Sequence, residues 1–379
     1  MGRLARFVLI LGIIAGALAI TIRLLFGGGE RLDDLTGAPL LPGSSLETVV
    51  DLDYPPGNIA VSPEGRVFFT LHPDGHPPAK VLELVDGKPT PYPSAEFQNG
   101  KAEPSFQSIL SIRIDRQGRL WVLDYADYGR GKPRILAFDL KTGVMIHRYD
   151  FPSEVAGFLS MLNDFQVAPD GKTIYIAETS PILQRPALIV YDVERKSSRR
   201  LLDGHASVKA ENYIIQAPGR DMIVYGLYNM RIPVDSIALD KNGEWLYYGA
   251  VTGSRLYRVR TSDLNDPSLT AADLGLRVED FAAKTLSDGI TMDDEGNVYL
   301  SDMEHSAIIR LGPDQRLMTL LKDPRLRWPD GFSWGPDGWL YVTCSSLHHV
   351  LFVSADVMHA NAPYQIYRFK PGATGVPGH

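Results

Sequence analysis

Between residues 57 and 343 the chain alternates apolar and polar positions in short runs, and polar turns containing glycine close most of them. One apolar side chain in every two is the signature of a strand with one buried face. One unit of this kind occurs six times, each time as a short strand, a glycine turn and an aromatic or β-branched strand. The copies are GNIAVSPEGRVFFT (57–70), LSIRIDRQGRLWVLD (110–124), NDFQVAPDGKTIYIAE (163–178), DSIALDKNGEWLYYGA (235–250), DGITMDDEGNVYLSD (288–302) and DGFSWGPDGWLYVT (330–343). Their turn glycines, Gly65, Gly118, Gly171, Gly243, Gly296 and Gly338, are separated by 53, 53, 72, 53 and 42 residues. Further alternating runs follow five of the copies, namely PAKVLELVDGK, PRILAFDLKTG, PALIVYDVERK, SRLYRVRTSDL and SAIIRLGPDQR.

That spacing suits one four-stranded sheet per repeat. A lone sheet of this kind cannot bury both faces, but six set around an axis can. The expected fold is all-β, a six-bladed β-propeller over residues 47–370. SLETVVDLD (45–53) is expected to close the ring by pairing with YQIYRFK (364–370). A β-sandwich or two stacked barrels would leave the six turn motifs unexplained.

The N-terminus breaks the pattern. Arg3 and Arg6 precede an apolar run from Phe7 to Ile22, which continues after Arg23 to Phe26. Residues 1–26 are read as a signal-anchor or a signal peptide, the remainder of the chain being exported in either case. Two small-residue stretches, Ala15-Gly16-Ala17 and Ala17-Leu18-Ala19, offer cleavage sites, but the apolar run passes both, which favours an anchor. Residues 27–46 then read as a tether and 371–379 as a C-terminal tail. The propeller is thus expected on the periplasmic or extracellular side, attached to the membrane through this helix.

Composition narrows the partners. The net charge is -7, with no basic cluster interleaved with aromatics, so nucleic acid is not expected. A monomer is expected. The single cysteine, Cys344, lies in a strand pattern and reads as a small buried side chain.

Aligning the repeats on their glycines exposes the candidate chemistry. Eight residues before each glycine stand Gly57, Leu110, Asn163, Asp235, Asp288 and Asp330, and Asn58 and Asp164 are one place further on. In a propeller this level is one mouth of the central channel. Asp and Asn before a strand ordinarily cap turns. Three carboxylates on one ring, however, would raise one another's pKa values, and no Lys or Arg stands in the same register. Asn163, Asp235, Asp288 and Asp330 are therefore candidate ligands of a divalent cation, Ca²⁺ or Mg²⁺, because hard oxygen donors without Cys or His suit those ions. The same acids could instead hold an organic cation directly. Asn58, Asp164, Tyr125 and His305 are candidate ligand-binding residues at the mouth, with Tyr128, His72, His348 and His349 in comparable places. Asp124 and Glu178, which end second strands, read as acceptors for backbone amides. No catalytic residue can be assigned, and the nucleophile-elbow, zincin, dinucleotide and P-loop motifs are absent.

The order and wording of these blades resemble the Yellow/major royal jelly protein family. The resemblance is carried by GRVFFTLHPDG with KPTPYPS, SIRIDRQGRLWVLDYA with ILAFDL, DGITMDDEGNVYLSDMEHSAI, and RWPDGFSWGPDGWLYV. It implies a secreted six-bladed propeller that binds a small amine or catechol-like ligand, in some members with an isomerase activity on oxidised catechols. The cysteines of the insect pattern near the second blade are missing here. A more distant similarity, in NDFQVAPDG and SDGITMDDEG, is to gluconolactonase/regucalcin-type propellers. It implies Asn163, Asp235 and Asp288 as metal ligands, with Asp330 taking the place of the first-blade acid, where Gly57 stands. The alternative function is accordingly a metal-dependent lactone hydrolase.

Overall fold

The computed structural model describes residues 2–379. It is a six-bladed β-propeller preceded by one apolar helix. The inner strands are Pro56–Val61, Ile109–Ile114, Leu162–Val167, Val234–Leu239, Ile290–Met292 and Pro329–Trp334, and each starts a four-stranded antiparallel sheet. Blades one to five are built from consecutive strands. Blade six takes its outer strand from the N-terminal side, Glu47–Leu52, which pairs with Tyr364–Phe369 from Glu47↔Arg368 to Leu52↔Tyr364. The two ends of the fold are therefore joined as the alternating pattern predicts.

Each blade alternates as expected, and the apolar faces meet between blades. Trp121, Leu123 and Ile135 pack with Phe165 and Ile176 of the next blade, and Tyr175 and Leu188 with Ile237 and Tyr248 of the one after. Cys344 is buried in the same kind of contact. The far ends of the first hairpins are held by acids three residues before the turn glycines. Asp115, Asp240 and Asp293 accept backbone N–H groups across their turns at 2.7–3.0 Å.

Two connections on the opposite side are long. Residues 202–233, between blades three and four, contain two small hairpins (216–221 and 223–229) and account for the wide spacing of 72 residues. Residues 345–363 of blade six carry a short helix, Ala355–Ala360. Together they roof the channel mouth.

Residues 27–46, expected as a tether, are fastened to the propeller. Glu30 bridges to Tyr213, and the N–H groups of Leu40 and Leu41 donate to the carbonyls of Thr319 and Leu320 at 3.0 and 2.9 Å. Residues 371–379 cross the far end of the channel. Gly378 and His379 exchange backbone bonds with Trp334, and His379 Nδ1 lies 2.8 Å from Gln166 Oε1.

Candidate functional site

The mouth opens into a cavity of about 740 Å³. All six residues eight places before the turn glycines line it: Gly57, Leu110, Asn163, Asp235, Asp288 and Asp330. Asn58 and Asp164 join them on the floor. The walls are mostly apolar, from Val224, Tyr228 and Ile232 of the roof to Leu347, Val350 and Phe352 of blade six.

A local device aims these side chains inward. In five blades the pairing of the first two strands slips at this level, for example between Leu162 and Phe165 and between Pro329 and Phe332. Such bulges bend a strand and re-aim its side chains. The backbone at this level, in slipped blades and in the unslipped blade five alike, is capped by hydroxyls and leaves the acids free. Asn58 N–H donates to Thr70 Oγ1 at 2.8 Å, Gly289 N–H to Ser301 Oγ at 2.8 Å, and Gly331 N–H to Thr343 Oγ1 at 2.9 Å. The hydroxyls reach onward to the next blade, Thr70 to the Leu110 carbonyl at 2.8 Å and Thr343 to the Gly57 carbonyl at 2.6 Å. Asn58 is the exception among the candidates, because its Oδ1 accepts the Ile59 N–H at 2.9 Å in the ordinary capping manner.

The acids fall into two groups. Asp164 is paired: Arg113 Nη2 lies 3.8 Å from Asp164 Oδ2, and Asn58 Nδ2 donates to Asp164 Oδ1 at 2.9 Å. The Arg113 guanidinium also donates to Asn58 Oδ1, while its Nε has no partner. Asp235, Asp288 and Asp330 have no basic group within 4 Å among the described residues. Asp288 Oδ2 instead accepts the Trp328 indole N–H at 2.6 Å. Asn163 beside Asp235 and Ser345 beside Asp330 favour the ionised carboxyls, but less than burial opposes them.

Burial is the chief influence on all of them. It pushes the Asp235 and Asp330 carboxyls well above the usual carboxylate range, and their acidic neighbours add to the effect. Burial also lifts Asp288 to about 6, against the Trp328 bond and the positive charge of Lys284. Lys284 lies behind Asp288, outside the cavity, and its own burial lowers its ammonium to about 7. The Asp164 carboxyl is raised and the Arg113 guanidinium lowered, so for this pair burial outweighs mutual attraction.

Tyr125 and His305 do not line the cavity, contrary to expectation. Left-handed backbone at Ala126, Asp127 and Tyr128 (φ 54, 51 and 54°) carries Tyr128 to the wall and leaves Tyr125 buried behind it, ring centres 5.3 Å apart. Asp302 turns His305 away. It binds the His305 N–H at 2.9 Å and Nδ1 at 3.0 Å, and the ring faces Asp34 of the 27–46 segment at 3.5 Å. His348 is buried and stacks on Trp328, whereas His72 and His76 line the wall. Asp124 and Glu178 accept backbone N–H groups of neighbouring loops, as read from the sequence.

Arg113, the counter-ion of Asp164 beneath the floor, is missed by alignment at the mouth level. It stands five places before its glycine, in a column with Ala60, Gln166, Ala238, Thr291 and Ser333. These are small or polar residues inside strands, and the one long cation among them was the available signal.

Hard oxygen donors of this kind suit Ca²⁺ or Mg²⁺ chemically. Among the described residues, however, no three His, Cys, Asp or Glu side chains converge closely enough to hold one metal ion. The arrangement as it stands is a ring of separate carboxyls around a space and not a ready coordination sphere.

Comparison with known proteins adds the family. The model of the family "Major royal jelly protein" matches residues 107–369. Major royal jelly protein 3 of Apis mellifera is 24% identical over 270 residues, covering 66% of this chain and 48% of that protein. The chain spans about half the length of the curated relatives it matches. Among solved structures, a calcium-binding regucalcin from Agrobacterium tumefaciens superposes with a TM-score of 0.56 at 15% identity, over 90% of this chain and 98% of that one. A gluconolactonase from Xanthomonas campestris gives 0.54 at 14%, over 86% and 88%. At such identities the likeness is one of fold.

Proposed function

The chain belongs to the major royal jelly protein family, and from that premise we propose that it is an exported, membrane-anchored propeller that binds a small organic amine, catechol-like in its aromatic part, in the mouth cavity. One observation carries this reading. Asp235, Asp288 and Asp330 sit at the floor of an apolar-walled cavity with no basic group within 4 Å among the described residues, Lys284 and Arg113 acting on Asp288 and Asp330 only from further off. An ammonium group placed among them would supply the missing positive charge and draw the carboxyls back to their ionised form. Tyr128 and Tyr228 line the cavity beside the space for the rest of the ligand, and aromatic rings attract cations.

Calorimetric titration with an aromatic amine and with its neutral alcohol analogue tests the reading. The amine is expected to bind at least tenfold more tightly, and Asp235→Asn with Asp288→Asn is expected to abolish the difference. Equal affinity for amine and alcohol overturns it.

A second reading is hydrolysis of a lactone with the help of a divalent cation. It is favoured by the elevation of the three carboxyls, chiefly by burial and further by acidic neighbours, which a cation would relieve, and by the fold shared with the gluconolactonase. Asn163, Asp235, Asp288 and Asp330 would have to draw together to hold the ion, which would supply a Lewis acid for the lactone carbonyl. Thermal melting with EDTA, Ca²⁺ and Mg²⁺ separates the two readings. A metal-dependent rise in Tm that Asp288→Ala loses supports this one, and superimposable curves remove it.

A further inference from the structure

The cavity mouth and the apolar helix belong to the same side of the molecule. We propose that the propeller is held with its mouth against the lipid bilayer, so that the ligand enters from the membrane as an amphiphile with an amine head and an apolar body. The ligand's amine head and the retained anchor rest on the function proposed above, whereas the orientation of the mouth rests on geometry.

The helix Arg3–Phe26 has 24 residues, no acidic residue, no buried side chain and a mean hydropathy of 2.5 in its most apolar window. At 1.5 Å per residue it is about 36 Å long, enough to cross a hydrocarbon core of about 30 Å. It leaves almost no slack before the propeller. The Phe26 ring lies 6.3 Å from that of Tyr228, a residue of the cavity wall. Glu30 N–H then donates to the Asn212 carbonyl at 2.8 Å, and Ile214 N–H donates back to the Glu30 carbonyl at 2.8 Å. Arg31 pairs with Asp221 at 3.0 Å. All of these contacts are to the 202–233 connection that roofs the cavity. The chain thus meets the propeller at the mouth within a few residues of the end of the spanning segment, and the mouth must lie at the membrane surface.

The surface there suits that position. The exposed aromatic side chains of the propeller are Phe158, Tyr225 and Phe352, and all three are on mouth-side connections. Tyr225 is 78% and Phe158 68% exposed. Tyr225 and Phe352 stand together, ring centres 6.1 Å apart, and Phe352 continues into the cavity wall. Ile182 and Leu183 add exposed aliphatic surface on the blade-three loop, and Phe158 adjoins Tyr128 through the Leu159 N–H to Tyr128 carbonyl bond at 2.8 Å. Around them Arg185 and Arg130, the latter paired with Asp127 at 3.1 Å, are exposed on the same side. Aromatic and basic side chains together are the usual interfacial anchors. On the side of the turn glycines the exposed large apolar residues, such as Val85 and Val144, are aliphatic, and Trp245 and Trp339 lie half-buried under Arg258, Arg260, Arg368 and Lys370.

The test uses the full chain reconstituted in phosphatidylcholine vesicles containing phosphatidylglycerol. A polarity-sensitive fluorophore is placed by Phe158→Cys, Tyr225→Cys or Phe352→Cys, with Val144→Cys and Val85→Cys on the far side; native Cys344 is buried and the unsubstituted protein reports any background. Lipids carrying a nitroxide are expected to quench the three mouth labels several-fold more than the two far-side labels. Equal quenching on both sides overturns the docking. A long-chain amine partitioned into the vesicles is expected to protect the Phe352→Cys label from quenching, whereas its alcohol analogue is not. If the mouth labels are quenched but the amine gives no protection, the docking stands and the amine as ligand fails.

Discussion

The indole N–H of Trp328 donates to Asp288 Oδ2 at 2.6 Å, from a ring that is wholly buried. This bond is the strongest local influence keeping Asp288 from rising further above about 6. A bond to a charged group is worth about 1.5–3 kcal/mol, or about one pH unit or more in the acid's titration. Binding of an organic cation to the wild type should therefore strengthen as pH rises through about 6, when Asp288 ionises. In Trp328→Phe the midpoint of that rise should move up by about one unit. A calorimetric pH series measures both, and an unmoved midpoint would show that the indole does not govern this carboxyl.

Stability should show the same carboxyls with the opposite sign. Asp235, Asp288 and Asp330 have folded pKa values above those of the unfolded chain. Between the unfolded value, about 4, and the folded one, the native state binds more protons, so the stability they contribute is present at low pH and is lost as pH rises. For Asp288 that window closes at about 6. The melting temperature of the ligand-free protein should thus fall from pH 5 to pH 7, and Asp288→Asn should flatten the fall. A melting temperature that climbs over this range in the wild type, and equally in the variant, would contradict the raised pKa values.

Much of this was legible because a repeat turns position into geometry. The column eight places before the glycines was visible in the letters, and all six of its members line one cavity. The strand pairing that closes the ring was legible for the same reason. What the letters hid depended on contacts between distant segments. Nothing in the letters singles out Trp328, whose indole lies beside Asp288, 40 positions away. Tyr125 and Tyr128 could not be ranked, because three left-handed residues decide which of them faces the ligand space. His305 looked free at the mouth, yet Asp302 and Asp34 hold it elsewhere. Residues 27–46 have a tether's composition, and only their backbone bonds to Asn212, Ile214, Thr319 and Leu320 show that they are fixed.

The hydroxyl links between blades give a third prediction. Thr343 accepts the Gly331 N–H and donates to the Gly57 carbonyl, across the seam where blade six meets blade one. Thr343→Val keeps the shape but leaves both backbone groups buried and unpaired, which should cost ~1–3 kcal/mol. Thr343→Ser keeps the hydroxyl and should lose less than half as much. Urea denaturation of the two variants makes the comparison, and equal losses would mean that packing and not the hydrogen bonds holds the seam.

The last prediction concerns Arg113. Its guanidinium is about as buried as the carboxylate it faces, and burial disfavours the charge on both. The pair is therefore not a strong net stabiliser, but each member makes the other tolerable. Arg113→Met leaves Asp164 facing Asp235, Asp288 and Asp330 with no counter-charge in contact, and should destabilise by ~3–5 kcal/mol at neutral pH. The loss should shrink as pH falls, because a protonated Asp164 needs no partner. Arg113→Met combined with Asp164→Asn should recover most of the stability, since the uncompensated charge is gone. Chemical denaturation at pH 5 and pH 7.5 measures all of these. A single variant as stable as the wild type at pH 7.5, or a double variant no better than the single, would mean that Arg113 does not serve as the counter-ion of Asp164.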